Sequence, residues 1–161
     1  MVRTRIYIDT SVIGGYFDNE FEEVTKELFI RIRNKDFNVF ISEISINELI
    51  PAPQQVKDLF EKIPGDCLFQ LEFTEEVIEV ADHYIKENIL NRRSLNDAYH
   101  IAHTTVNRID VLVSWNFKHI VNLDKIRLFN AVNLKLGYPV IDIRTPKELL
   151  KYEDKENKKR F

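Results

Sequence analysis

Apolar residues fall along this chain in two alternating rhythms. Short continuous runs bounded by polar or turn residues predict strands at Arg5 to Ile8, Phe37 to Ile41, Leu68 to Phe73, Val111 to Val113 and Val140 to Ile143. Between them, apolar positions recur three and four apart. Phe21 to Asn34, with Val24, Leu28 and Ile32 on one side, predicts an amphipathic helix. Ser42 or Ser45 caps a short helix through Ile50, and Pro51 and Pro53 close it before a helix over Val56 to Ile63. Thr74 caps a helix reaching about Ile89, whose apolar face is Val77, Ile78, Ala81 and Ile85. Ser94 caps another over Leu95 to Asn107. Strands that alternate with helices predict an α/β fold with a largely parallel sheet covered by helices. Gly14-Gly15 reads as a flexible turn after the first strand. No Lys-Ser/Thr follows these glycines, so they are not a phosphate-binding P-loop. Beyond Leu150 the pattern gives way to charge, which predicts a frayed tail over 151–161 after a single domain over 1–150.

Three acids interrupt this apolar patterning. Asp9 ends the first strand in Ile6-Tyr-Ile-Asp-Thr-Ser-Val12. Glu48 lies on the short helix after the second strand, in Ile44-Ser-Ile-Asn-Glu-Leu-Ile50. Asp97 lies in the first turns of the helix Ser94-Leu-Asn-Asp-Ala-Tyr-His100. Strand ends and the starts of the following helices share one edge of a parallel α/β sheet, where such folds bind ligands. Ser114 and Asn116 follow the fourth strand and face the same edge. Carboxylates, an amide oxygen and water are the hard oxygen ligands that Mg²⁺ and Mn²⁺ prefer. Packed acids also raise one another's pKa unless a cation neutralises them.

Each residue also has a plain structural role. Asp9 is equally a helix cap, Asp97 a partner for the helix dipole, Glu48 a solvated helix residue and Asn116 a turn residue. Their shared topological position favours a common site. His100 and His103 lie about 60° and about 120° from Asp97 around a helix, which does not suit a shared zinc site, so they read as packing or surface histidines. Trp115 reads as core or interface, with base stacking left open.

Composition narrows the function classes. Net charge is −3, so nucleic-acid binding must rest on local basic patches rather than on bulk charge. Lys118, Arg92 and Arg93 are candidate phosphate contacts, with exposed solubility charge as the plainer reading. The single cysteine, Cys67, allows no intrachain disulfide, and no apolar run approaches the ~20 residues of a membrane span. The first residues lack the apolar stretch of a secretory signal, and these features together predict a cytoplasmic protein.

From Ile6 to about Leu149 the chain resembles the PIN domain family, the metal-dependent ribonuclease fold of VapC-type toxins. The resemblance rests on Ile8-Asp9-Thr10-Ser11-Val12, on Ser45-Ile46-Asn47-Glu48-Leu49 and on Asn96-Asp97-Ala98-Tyr99-His100-Ile101-Ala102. It implies a three-layer α/β/α fold and Mg²⁺- or Mn²⁺-dependent hydrolysis of RNA. Asp9, Glu48 and Asp97 would be metal ligands, Asn116 a fourth catalytic member, and Ser11, Ser114 and Lys118 substrate-positioning groups. It also implies a homodimer and a small antitoxin partner. The family often carries an Asp where this chain has Asn116, which bears on a second metal site. That departure keeps a second reading open: a catalytically weakened PIN-like module that binds RNA or protein. A phosphatase of the haloacid-dehalogenase type wants an acid two residues after Asp9, where Ser11 stands.

Overall fold

In the computed structural model, which describes residues 2–160, five parallel strands form one sheet in the order β3-β2-β1-β4-β5. They are β1 (Thr4–Ile8), β2 (Phe37–Ser42), β3 (Leu68–Leu71), β4 (Val111–Val113) and β5 (Asp142–Arg144). β1 is central and paired on both sides, with Ile6 opposite Val39 on one side and opposite Val111 on the other. The order places both covered faces of β1 in the core, which explains its near-continuous apolar run. Ile6 and Ile8 enter one apolar layer and Tyr7 the other, following the two-residue period of a strand.

Among the described residues, eight α-helices cover the sheet: α1 (Thr10–Gly15), α2 (Glu22–Arg33), α3 (Glu43–Leu49), α4 (Gln54–Glu61), α5 (Glu75–Lys86), α6 (Leu95–Val106), α7 (Leu123–Lys135) and α8 (Pro146–Lys159). One face is filled by Val12, Leu28, Phe29, Ile32, Leu59 and Leu149 from α1, α2, α4 and α8. The other is filled by Val77, Tyr84, Ala98, Ile101, Phe129 and Val132 from α5, α6 and α7. The result is the three-layer α/β/α arrangement expected from the sequence, with every strand pairing parallel.

The structure corrects three expectations. Gly14 and Gly15 belong to α1 rather than to a flexible turn. A Cβ on Gly15 would stand 2.7 Å from Trp115 Cδ1, so this glycine lets the helix approach the indole. Residues 123–135, given no element by the sequence reading, form α7. The expected frayed tail is helical through Lys159: Thr145 caps α8, Pro146 opens it, and Glu148 completes a capping box. Glu153 then accepts from Thr4 Oγ1 at 3.0 Å, and Asp154 lies 3.6 Å from Arg31, which ties the charged segment back to β1 and α2.

Candidate active site

The strand order reverses direction at β1: the chain moves from β1 to β2 and β3 on one side, then to β4 and β5 on the other. The crevice outside the carboxyl ends of β1 and β4 is therefore the topological switch point, where doubly wound sheets bind ligands. Asp9 follows β1 and Ser114 follows β4 at this crevice. Ser114 Oγ donates to Asp9 Oδ2 at 2.6 Å and Ser11 Oγ donates to Asp9 Oδ1 at 2.6 Å. Val12 N also donates to Oδ1, at 3.3 Å, so Asp9 caps α1 as well as facing the crevice. The Trp115 amide donates to Ser11 Oγ at 2.9 Å, which closes the loop after β4 over the start of α1. Burial pushes the Asp9 carboxyl above the usual carboxylate range, although His100 and the three hydrogen bonds oppose that rise.

Glu48 and Asp97 reach the same edge from α3 and α6. Asp97 is half-buried. Burial pushes its carboxyl up, and the charges of Asp9 and Glu48 add to the rise, while His100 and His119 oppose it. The three acids thus lie close enough to feel one another electrostatically. Glu48 Oε1 accepts from His100 Nε2 at 2.6 Å, and His100 Nδ1 lies 2.6 Å from the Tyr7 hydroxyl. Burial works against a charge on His100. Tyr7, the hydrogen bond to Glu48 and the nearby Asp9 carboxylate outweigh it, so the imidazole is pushed up to about 10.

The remaining sequence candidates divide. Ser11 and Ser114 join Asp9 directly. Asn116 sits at the same edge, but its Oδ1 accepts from the His119 amide at 3.0 Å, which commits that oxygen to shaping the turn. Its own amide donates to Ser114 Oγ at 2.9 Å. Lys118 is exposed beside this turn, and Arg92 and Arg93 are exposed in a 3₁₀ turn before α6.

Two histidines escaped the sequence reading. His100 was assigned to packing or surface, yet it is fully buried and holds Glu48. The signal was its position three residues after Asp97, on the same helix. His119 lies within the field of Asp97, with Nδ1 3.5 Å from Lys125 Nζ, and burial lowers its pKa. It stands three residues after Asn116, in the loop that follows β4.

Among the described residues, no three His, Cys, Asp or Glu side chains stand close enough together to hold a metal ion between them. The chemistry of the donors, though not their spacing, suits a hard divalent cation. The acids are oxygen donors; burial pushes the Asp9 and Asp97 carboxyls up, the acidic neighbours push Asp97 up further, and a cation would relieve that strain. A surface concavity of about 540 Å³ lies at the opposite edge of the sheet beside Arg3, Thr4 and Lys35. Its lining mixes both charge signs and holds none of the crevice residues, so it does not define the site.

Fold and crevice together define the class: an α/β protein with convergent acids at its switch point. The chain belongs to the PIN domain family, whose signature matches residues 6–120. PIN domains are generally nucleases. The fold is shared with VapBC2 from Rickettsia felis, solved bound to a DNA fragment from the VapBC2 promoter. That structure has 14% identity and a TM-score of 0.56 over 88% of this chain and 98% of that one. A toxin–antitoxin complex from Klebsiella pneumoniae matches with 16% identity and a TM-score of 0.55 over 74% of this chain and 93% of that one. FitAcB from Neisseria gonorrhoeae matches with 16% identity and a TM-score of 0.54 over 88% and 97%. No curated protein matches by sequence. Among the described residues, no helix is long and apolar enough to cross a membrane.

Proposed function

We propose that this chain is a Mg²⁺- or Mn²⁺-dependent endoribonuclease and the toxin of a toxin–antitoxin pair. The observation that carries the reading is placement: Asp9, Ser114, Glu48 and Asp97 come from separate segments to the carboxyl edge of the sheet, where Asp97, raised chiefly by burial, also feels the charges of Asp9 and Glu48. Asp9, Glu48 and Asp97 would hold the cation. When bound, it supplies an activated water of lowered pKa and neutralises charge on the leaving oxygen.

The chain's own residues do the rest. Asp9 is fixed by Ser11, Ser114 and Val12, so its carboxylate enters the site in one orientation. Ser114 couples Asp9 to the turn at Asn116, and Ser11 couples it to Trp115. A change in either hydroxyl therefore moves the acid and the loop together. Lys118 and the Arg92–Arg93 pair are exposed cations on the segments flanking the crevice, suited to phosphates of a bound strand. An RNA substrate, a small antitoxin and a homodimer are carried over from the family resemblance; of these, the antitoxin is supported by the toxin–antitoxin complex from Klebsiella pneumoniae that shares the fold.

Purified protein with Mn²⁺ is expected to cleave single-stranded RNA, and Asp9→Asn and Asp97→Asn to abolish cleavage while remaining folded. Undiminished cleavage by both variants would sink the site assignment. The Asn116 side chain favours a second reading, a weakened module that binds RNA without cutting it, because an uncharged and already engaged oxygen stands where a fourth acid would be. Calorimetric titration separates the two: no Mn²⁺ uptake at millimolar concentration, with RNA binding retained, would favour the module.

A further inference from the structure

Tyr7, His100 and Glu48 form a continuous hydrogen-bonded chain from the middle of the sheet to the candidate site. The Tyr7 hydroxyl lies 2.6 Å from His100 Nδ1, and His100 Nε2 lies 2.6 Å from Glu48 Oε1. Tyr7 is fully buried and His100 is 1% exposed, whereas Glu48 is only half-buried. The same hydroxyl lies 2.7 Å from Ser42 Oγ. Ser42 is the N-cap residue of α3, the helix that carries Glu48. The chain is therefore anchored at the start of the helix whose acid it grips further on.

It also joins the three elements that supply the acids. Tyr7 is on β1, two residues before Asp9. His100 is on α6, one turn after Asp97. Glu48 is on α3. A glutamate side chain has three rotatable bonds, and fixing them costs entropy. Repulsion from Asp9 and Asp97 favours rotamers that carry the carboxylate out to solvent. A buried donor at 2.6 Å opposes both effects before any cation arrives.

We propose that His100 and Tyr7 are positioning residues that hold the Glu48 carboxylate in the arrangement that binds the divalent cation. This rests on the reading of Glu48 as a metal ligand. His100 acts only through Glu48, touching neither RNA nor the cation, and Tyr7 fixes the orientation of the His100 ring. Their loss weakens cation affinity and leaves RNA affinity unchanged.

The experiment is calorimetric titration of Mn²⁺ into the full chain as wild type, His100→Leu, His100→Gln, Tyr7→Phe and Asp97→Asn. Thermal melts of each protein accompany the titrations. His100→Leu is expected to bind Mn²⁺ about 10- to 100-fold more weakly, the range found when the partner of a metal ligand is removed. His100→Gln keeps a side-chain N–H at similar reach and is expected to recover most of that affinity. Tyr7→Phe should fall between wild type and His100→Leu. In RNA cleavage, the His100→Leu defect should vanish at saturating Mn²⁺ with KM for RNA unchanged, which a merely structural role would not produce. Folded His100→Leu with wild-type affinity overturns the proposal. His100→Gln as weak as His100→Leu overturns the hydrogen bond as its cause. If His100→Leu does not fold, wild-type affinity in Tyr7→Phe is the overturning result. Wild-type protein that takes up no Mn²⁺ overturns the metal reading itself, and the proposal with it.

Discussion

His103 is polar by type and apolar by surroundings. It is fully buried, stacked 6.3 Å from Tyr7 and tilted against Phe73 at 5.7 Å, and neither ring nitrogen has a hydrogen-bond partner. Burial, with a smaller contribution from the His100 charge, lowers its pKa to about 4. The fold therefore favours the neutral imidazole. That contribution is complete above the unfolded value of about 6.5 and is lost as pH falls from there towards 4. His103→Leu removes the titration and two unsatisfied polar atoms. Urea unfolding at pH 7.5 should find the variant as stable as wild type or more so. At pH 4.5 wild type should have lost about 2–3 kcal/mol more than the variant. Parallel acid losses in the two proteins would remove His103 as the cause. His100, one turn away, shows the opposite outcome for the same residue type. A histidine in an apolar helix has no fixed meaning until its partners are known: spacing from Asp97 set His100 apart from His103, but only the partner on α3 shows what that difference means.

At the scale of elements, strands and capped helices were legible because their signals are local. The end of β1 at Ile8, the Thr74 cap of α5 and the extent of β4 follow from alternation, capping chemistry and bounded apolar runs. The sites of Asp9, Glu48 and Asp97 at one edge were legible for the same reason, since topology follows from element order. α7 was not legible. Phe129 and Val132 face the core, but Leu123, Leu128 and Leu134 are exposed, so apolar residues surround the helix and blur its stripe. α1 was hidden by its two glycines, one of which is there for the indole of Trp115. α8 was misread because residues 151–159 are almost all polar. What holds them is an N-terminal capping box and two long-range contacts, to Thr4 and Arg31, that no local pattern records. A frayed tail would be dispensable. The docked helix predicts otherwise: deleting residues 151–161, or replacing Thr145 by Ala, should each cost about 1 kcal/mol and lower Tm by about 2–4 °C. A deletion that leaves Tm unchanged would return the segment to a tail.

Across the whole molecule, the buried acids at the sheet's carboxyl edge and the fold pull against each other. Asp9 and Asp97 both titrate above the usual carboxylate range, chiefly because they are buried and, for Asp97, because Asp9 and Glu48 lie near. A raised carboxyl favours the protonated form in the fold. Its stabilising contribution is present below the unfolded value of about 3.8 and is lost as pH rises through the folded value. At neutral pH both acids are therefore a cost to the protein without metal, and Asp97→Asn should melt a few degrees above wild type in chelator. Mn²⁺ at ten times its dissociation constant would stabilise the wild type by about 1.4 kcal/mol, a gain of about 3–5 °C, and should leave Asp97→Asn unmoved. Protons compete with the cation for the same oxygens. Lowering the pH should therefore erase the Mn²⁺-dependent gain at a higher pH than ordinary carboxylates would require. Melting curves from pH 5 to 8, with Mn²⁺ and with chelator, read both effects at once. A gain shared by Asp97→Asn would place the cation elsewhere. A variant that melts below wild type in chelator would show that the acid serves the fold rather than burdening it.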